Sequence, residues 1–205
     1  VPIRQRRTQA ERRAATNASL LDGTISALSE LGYARTTVKE ICARAGVSAG
    51  ALFGHYPTLT DLVLAAAEEV ARRQIERFTQ YVAELPNADD PLAVLPRVRA
   101  GARDPINAVW IELLVAARTD AALRERLKPV GGAYAAAMLE ASKQVPMLRE
   151  LRDDILQVVV SHVVHYFDGE ALSAVLYSDA ALDERRLAML AGAVQVYVRA
   201  ENLSD

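Results

Sequence analysis

Apolar residues recur at intervals of three and four along almost the whole chain, and no stretch alternates long enough to make a strand. That periodicity confines the backbone to helices. Ala and Leu dominate the periodic segments, while Pro and Gly fall mainly between them. The predicted class is therefore all-α. A first helix is expected over 8–31, with Leu21, Ile25 and Leu28 on one face and Gly32 as its stop. Two short helices follow, one from Thr37 to Ala45 and one from Ser48 to about His55. A long helix over 58–85 runs into the polar break at 86–91, and further helical segments are expected over 92–102, 105–119, 121–144, 147–177 and 183–201. Lys128-Pro129 and Gly131-Gly132 should kink or split the segment 121–144.

At 205 residues the chain can hold one large domain or two small ones and can bury a core. Hydrophobic residues make up 51% of it, yet no uninterrupted apolar run approaches the roughly 20 residues that span a bilayer. Residues 1–13 are basic without an apolar centre, so a signal peptide is not expected, and the start at Val1 reads as trimmed or truncated. A single cysteine, Cys42, leaves no intrachain disulfide, fits a reducing cytoplasm, and is expected to pack. The net charge of −2 hides an asymmetry. Residues 1–57 carry 8 Lys and Arg against 4 Asp and Glu, whereas the remainder carries 16 against 22. A basic head on an acidic body is the distribution of a chain whose one end meets phosphate, although a solvated basic tail would look alike.

Within that head, Thr37-Val38-Lys39-Glu40 reads as a capping box. Gly46 supplies the left-handed residue of a tight helix stop, and Ser48 caps the next helix. Two short helices joined by such a turn make a helix-turn-helix, and Ile41, Ala45, Val47 and Leu52 are spaced to meet as its small core. Helix pairs of this kind also serve plain packing in all-helical proteins. Ser48, Ala49, Gly50 and Ala51 favour DNA, because they keep the first turn of the second helix small enough to lie deep in a major groove. Phe53, Gly54, His55 and Tyr56 follow, with a His near the hydroxyls to suit phosphate.

The succession Gly32-Tyr33, Thr36-Thr37, Ile41, Ala45-Gly46-Val47-Ser48, Gly50-Ala51-Leu52-Phe53 and His55-Tyr56-Pro57-Thr58 resembles the signature of TetR-type repressors over about residues 8–66. The resemblance implies an all-α homodimer that binds a palindromic double-stranded operator and releases it when a small molecule binds. On that pattern, 1–7 is a flexible basic arm, 8–66 a three-helix DNA-binding domain, and 67–205 a larger helical domain for ligand binding and dimerisation. The family's phosphate contacts would fall on Thr37, Phe53, His55, Thr58 and Thr60, and its base-facing positions on Ser48, Ala49 and Gly50. Tyr56 stands where the family usually has Phe and joins the candidate DNA-binding set. Phe53 replaces the usual Tyr, and Leu59 the usual Lys, which removes a hydroxyl and a cation from phosphate-facing positions.

In the second domain, the segments 147–177 and 183–201 suit either an intramolecular core or a seam between two copies, with Val194 and Val198 at helical spacing in the latter. The resemblance implies the seam. Trp110, Tyr134, Met138, His162 and Tyr166 are candidates for lining a pocket for a hydrophobic or amphipathic effector, with core packing as the plain alternative. Glu112 lies in an apolar run, either paired with Arg118 or facing water. His162 and His165 stand three apart near Asp168, but nothing completes a tetrahedral set, so neither metal nor cofactor is expected. No Gly-rich phosphate loop, nucleophile elbow or HExxH occurs in the sequence, and an enzyme is not expected. The expected partners are operator DNA, a second copy and a small effector, without a membrane, and the expected location is the cytoplasm.

Overall fold

A computed structural model of the protein describes residues 8–86, 88 and 90–202, with helix as the dominant element and no strand among them. The helices are α1 (Gln9–Leu31), α2 (Val38–Ala45), α3 (Ala49–His55), α4 (Leu59–Glu84), α5 (Pro91–Ala102), α6 (Pro105–Thr119), α7 (Ala121–Ser142), α8 (Pro146–Arg149), α9 (Asp153–Ser173) and α10 (Ala180–Asn202). A 3-10 turn, Tyr33–Arg35, follows α1.

Gly32, Thr37, Gly46 and Ser48 stand at the helix ends where the sequence places them. Thr8 opens α1 with a reciprocal box: its hydroxyl accepts from the Glu11 amide at 3.2 Å, and its amide donates to Glu11 Oε2 at 2.7 Å. Gly32 closes α1 at φ 79° and ψ 166°, a conformation open essentially to glycine alone. At the start of α2, Thr37 Oγ1 accepts from the Glu40 amide at 3.3 Å, one half of the expected capping box, without the Glu40 carboxylate returning to the Thr37 amide. Gly46 ends α2 in the left-handed region at φ 67°, and Ser48 caps α3 by accepting from the Ala51 amide at 3.1 Å.

The described residues form two compact units that interleave along the chain. The first takes the described part of Val1–Val70 together with Ala108–Val130, and the second takes Ala71–Asn107 and Gly131–Asp205, again as far as they are described. A contiguous division near residue 66 therefore differs from the compact units observed. Two side-chain links hold the inserted segment to the first unit. Glu112 Oε2 accepts from the Tyr33 amide at 3.1 Å, and Arg126 pairs with Asp61. Glu112 thus neither pairs with Arg118 nor simply faces water; it braces the turn after α1.

Leu20, Ala27, Ile41, Leu52 and Leu62 are buried together in the first unit, with Ala45, Val47 and Cys42 packed against them. The four residues expected to meet across the helix-turn-helix do so. In the second unit, α5, α9 and α10 meet over Leu95, Val163, Phe167, Leu187, Leu190 and Ala191. A second cluster gathers Leu151, Ile155, Leu156, Val159 and Val198.

Three expectations are corrected. The segment 121–144 is not split: α7 runs through Pro129, with Leu127 and Val130 buried on either side to offset the one backbone bond that proline removes. The segment 147–177 is broken instead, into α8 and α9 around Glu150–Arg152. Val198 is 3% exposed and so closed within its own unit rather than at a seam, whereas Val194 is half-buried, packed against the two apolar clusters just described.

Candidate nucleic-acid interface and effector cavity

In the first unit, Leu52 is fully buried and fixes α3 against α1 and α2, while Ser48, Ala49 and Gly50 at its start are all exposed. A hydroxyl that only accepts from a backbone amide keeps its proton for another partner. Thr37 and Ser48 are in that state, each exposed and accepting from an amide one turn on. Both can donate to a phosphate or a base edge. Thr58 cannot do so without breaking a bond. Its hydroxyl accepts from the Asp61 amide at 3.1 Å and donates to Asp61 Oδ2 at 2.7 Å, so its proton is committed. Those Thr58 bonds, then the Arg126 guanidinium, hold the Asp61 carboxyl below its usual range.

Phe53 is 51% exposed, a large ring left open at the end of α3. His55 is half-buried beside it, and with Ala10, Arg13, Ala14, Asn17 and Tyr56 it lines an open notch between the start of α1 and the end of α3. The Tyr56 hydroxyl donates to Asn17 Oδ1 at 2.7 Å, and burial pushes its phenol up. Tyr56 therefore braces α1 against the end of α3. Thr60 is half-buried in the first turn of α4. Leu59, read in sequence as standing at a phosphate-facing position, is half-buried against the cluster around Leu52 and Leu62. Sequence reasoning missed Asn17, which carries no pattern of its own before the fold brings it to Tyr56. Of the expected arm, residues 1–7 with Arg4, Arg6 and Arg7 lie outside the described residues, while Arg12 and Arg13 are exposed on α1.

The second unit encloses a cavity of about 120 Å³ between α4, α5, α6, α7 and α9. Tyr134 and Met138 line it, together with Phe78, Tyr81, Phe167 and Asp168. A smaller lobe of about 60 Å³ shares Phe78, Val98, Met138 and Val164 with it and is almost wholly apolar. The other proposed lining residues lie elsewhere. Trp110 belongs to the first unit, Tyr166 borders an open cleft with Arg103 and Glu170, and His162 is exposed on α9. His165 is exposed as well, and no group of three His, Cys, Asp or Glu placed to hold a metal ion occurs among the described residues.

The polar wall of the cavity is a relay. Gln74 Nε2 donates to Asn107 Oδ1 at 2.7 Å, and Asn107 Nδ2 donates to Asp168 Oδ1 at 2.9 Å and to the Ala102 carbonyl at 3.0 Å. Asn107 is 4% exposed with both amide hydrogens used. Burial pushes the Asp168 carboxyl up, against the Asn107 hydrogen bond and the charge of His165. Burial, followed by the Asp168 charge, pushes the Tyr134 phenol up as well. Sequence reasoning weighed Asp168 only beside the two histidines; its place next to Phe167 in an apolar stretch was the available signal.

No helix among the described residues is long and apolar enough to cross a membrane. The model of the bacterial regulatory proteins of the tetR family matches residues 20–66, the span of the helix-turn-helix and its flanking helices. An HTH-type transcriptional regulator of Mycobacterium tuberculosis is 42% identical over 189 residues, covering 90% of this chain and 95% of the relative. A crystal structure of a chain described as a TetR-family regulator from Rhodococcus sp. superposes with a TM-score of 0.63 at 20% identity, over 89% of this chain and 98% of that one. The multidrug binding protein EbrR, solved with imidazole, gives a TM-score of 0.58 at 22% identity, over 85% of this chain and 93% of that one.

Proposed function

We propose, since the chain belongs to the TetR family of bacterial transcriptional regulators, that it is a ligand-responsive repressor. In this reading a homodimer holds a palindromic operator and lets it go when a small hydrophobic or amphipathic effector fills the cavity of the second unit. The observation that carries the reading is α3. Its buried Leu52 seats the helix while Ser48, Ala49 and Gly50 are presented without bulk, a shape suited to backbone-close docking in a major groove. Thr37, Phe53 and His55 are the proposed phosphate contacts, with Thr60 beside them, whereas Thr58 and Tyr56 act by bracing.

Dimerisation is supported by an exposed apolar stripe. Leu182, Met189 and Val196 recur every seven residues on α10, with Met189 67% and Val196 69% exposed. Val158 and Leu172 are exposed on α9. A seven-residue apolar repeat on an open helix face is the pattern of a helix-to-helix seam. An effector role for the cavity is supported by its mostly apolar lining and few convergent polar groups. EbrR, a multidrug binding protein of the same fold, agrees with such a role. The effector must favour the conformation that does not hold DNA, since equal affinity for both states shifts nothing.

Selection of genomic fragments on the full-length protein tests the reading. The bound fragments should share an inverted repeat whose half-sites lie about one helical turn, roughly 10 base pairs, apart or a multiple of it. Enrichment of fragments lacking a dyad, or no enrichment, would overturn the proposal.

A further inference from the structure

The charges around the cavity of the second unit are not all matched. Arg77 pairs with Asp104 at 2.6 Å, and Asp104 Oδ1 also accepts from the Ile106 amide at 2.9 Å. Arg97 is exposed and lies over the Tyr81 ring at 5.9 Å from its centre. Asp168 differs from all three. Its carboxylate is held in place by the neutral amide of Asn107, and the charge that bears on it is that of the exposed His165 one turn back on α9, which forms no ion pair with it among the described residues. It lines the same cavity as the rings of Phe78, Tyr134 and Phe167.

A carboxylate half-buried among aromatic and aliphatic walls has lost part of its hydration, and an exposed, water-screened imidazole outside the cavity offsets little of that loss. Aromatic faces carry negative potential and attract cations, most strongly where water is excluded. Both features call for the same occupant. The exposed Arg97 makes no comparable demand, because water and the Tyr81 face already serve it.

We propose that the effector, on the repressor reading given above, is a lipophilic compound carrying a protonated or quaternary nitrogen, its positive centre held against Asp168 inside this cavity. The Gln74–Asn107–Asp168 relay sets the carboxylate in advance, so the ligand does not have to order it. The neighbouring apolar lobe across Phe78, Val98, Met138 and Val164 takes the hydrocarbon part. A cavity of about 120 Å³ limits that part to something near one ring, comparable to the engineered cavity of roughly 150 Å³ that takes benzene.

Three probes of one size decide the matter on the full-length protein: phenyltrimethylammonium, its neutral isostere tert-butylbenzene, and benzoate. Equilibrium binding should favour the ammonium over the neutral probe by about ten-fold or more. Asp168→Asn, which keeps an acceptor for Asn107, should remove that preference while leaving tert-butylbenzene binding in place. Met138→Trp, which fills the junction of the two lobes, should weaken both. Equal or tighter binding of tert-butylbenzene by the native protein overturns the proposal, and that comparison requires no variant. Tightest binding of benzoate overturns it in favour of Arg97, and binding of none of the three overturns it outright. DNA binding without any probe is measured in parallel. A loss of cation preference with intact operator affinity removes the cation and leaves the regulator standing, whereas a protein that binds no operator fails on the broader reading.

Discussion

Leu59 illustrates how a single residue is read differently before and after folding. Against the lysine that the family resemblance places there, it reads either as a missing phosphate contact or as a residue packed inward to staple the helix; folded, it is half-buried against Leu52 and Leu62. Its side chain therefore belongs to the interior energy of the first unit. Leu59→Lys should lower the stability by about 1 kcal/mol, a part of the value for full burial, because lysine keeps some of the apolar stem covered. The slope of log affinity against log salt should not change. A steepening by about 2 for the dimer would instead place position 59 at the phosphates. Thr58 teaches the complementary lesson. The run Thr58-Leu59-Thr60-Asp61 reads as a capping box in sequence and forms one, which spends the Thr58 proton on Asp61, whose other partner is Arg126.

Among the elements, α1 and α2 come together through a glycine. A side chain at Gly23 would bring its Cβ to 3.1 Å from the Ala45 amide nitrogen and 3.2 Å from the Ile41 carbonyl, both backbone atoms that cannot step aside. Gly23→Val should destabilise the protein by roughly 1–3 kcal/mol. It should also weaken DNA binding by displacing α2 and the α3 that follows it. Denaturant melts and a gel shift at a temperature where the variant stays folded measure the two effects separately. In the second unit, α5, α9 and α10 are tied by ions. Arg99 Nε donates to Glu170 at 2.6 Å, and Arg103 bonds both Glu170 at 2.6 Å and Asp183 at 2.8 Å. The Arg103 hydrogen bond, followed by the charges of Arg103, Arg99 and Arg186, holds the Asp183 carboxyl below its ordinary value of 3.8. A carboxyl lowered by folding contributes stability that is present above its unfolded pKa and is lost as pH falls through its folded one. The melting temperature should accordingly drop as pH falls below about 4. Asp183→Asn should lower it at neutral pH and flatten that part of the curve; a variant with an unchanged acid limb would show that other carboxyls govern it.

For the molecule as a whole, the apolar surface has to be divided between interior and partner. Val198 is closed inside the second unit, while Met189 and Val196 on the same helix are open. On the proposed homodimer, Met189→Asp should leave the chain folded and make it sediment as a monomer, since a charge desolvated without a partner costs at least about 2 kcal/mol in each copy. Operator affinity should fall with it, because two half-sites would no longer be held by one rigid body. Val198→Asp should instead unfold the second unit. A Met189→Asp protein that remains dimeric would move the seam off this face of α10.

The sequence alone determined the helical class, the helix ends at Gly32, Gly46 and Ser48, and the small core of Ile41, Ala45, Val47 and Leu52. Each of these rests on interactions within a turn or two of chain, or on one residue's backbone freedom, and such causes are written at their own positions. The DNA-binding motif was legible for the same reason, being short, ordered and local. Tertiary structure alone decided that Tyr56 reaches Asn17 and that Arg126 reaches Asp61. It likewise decided that Glu112 braces the turn after α1, and that Tyr134 and Met138 share a cavity with Asp168 while His162 does not. Those outcomes join residues tens of positions apart. A helix of this composition is apolar enough on several faces to pack more than one way, and only the presence of the other helices selects which face closes and which stays open to a ligand or a second copy.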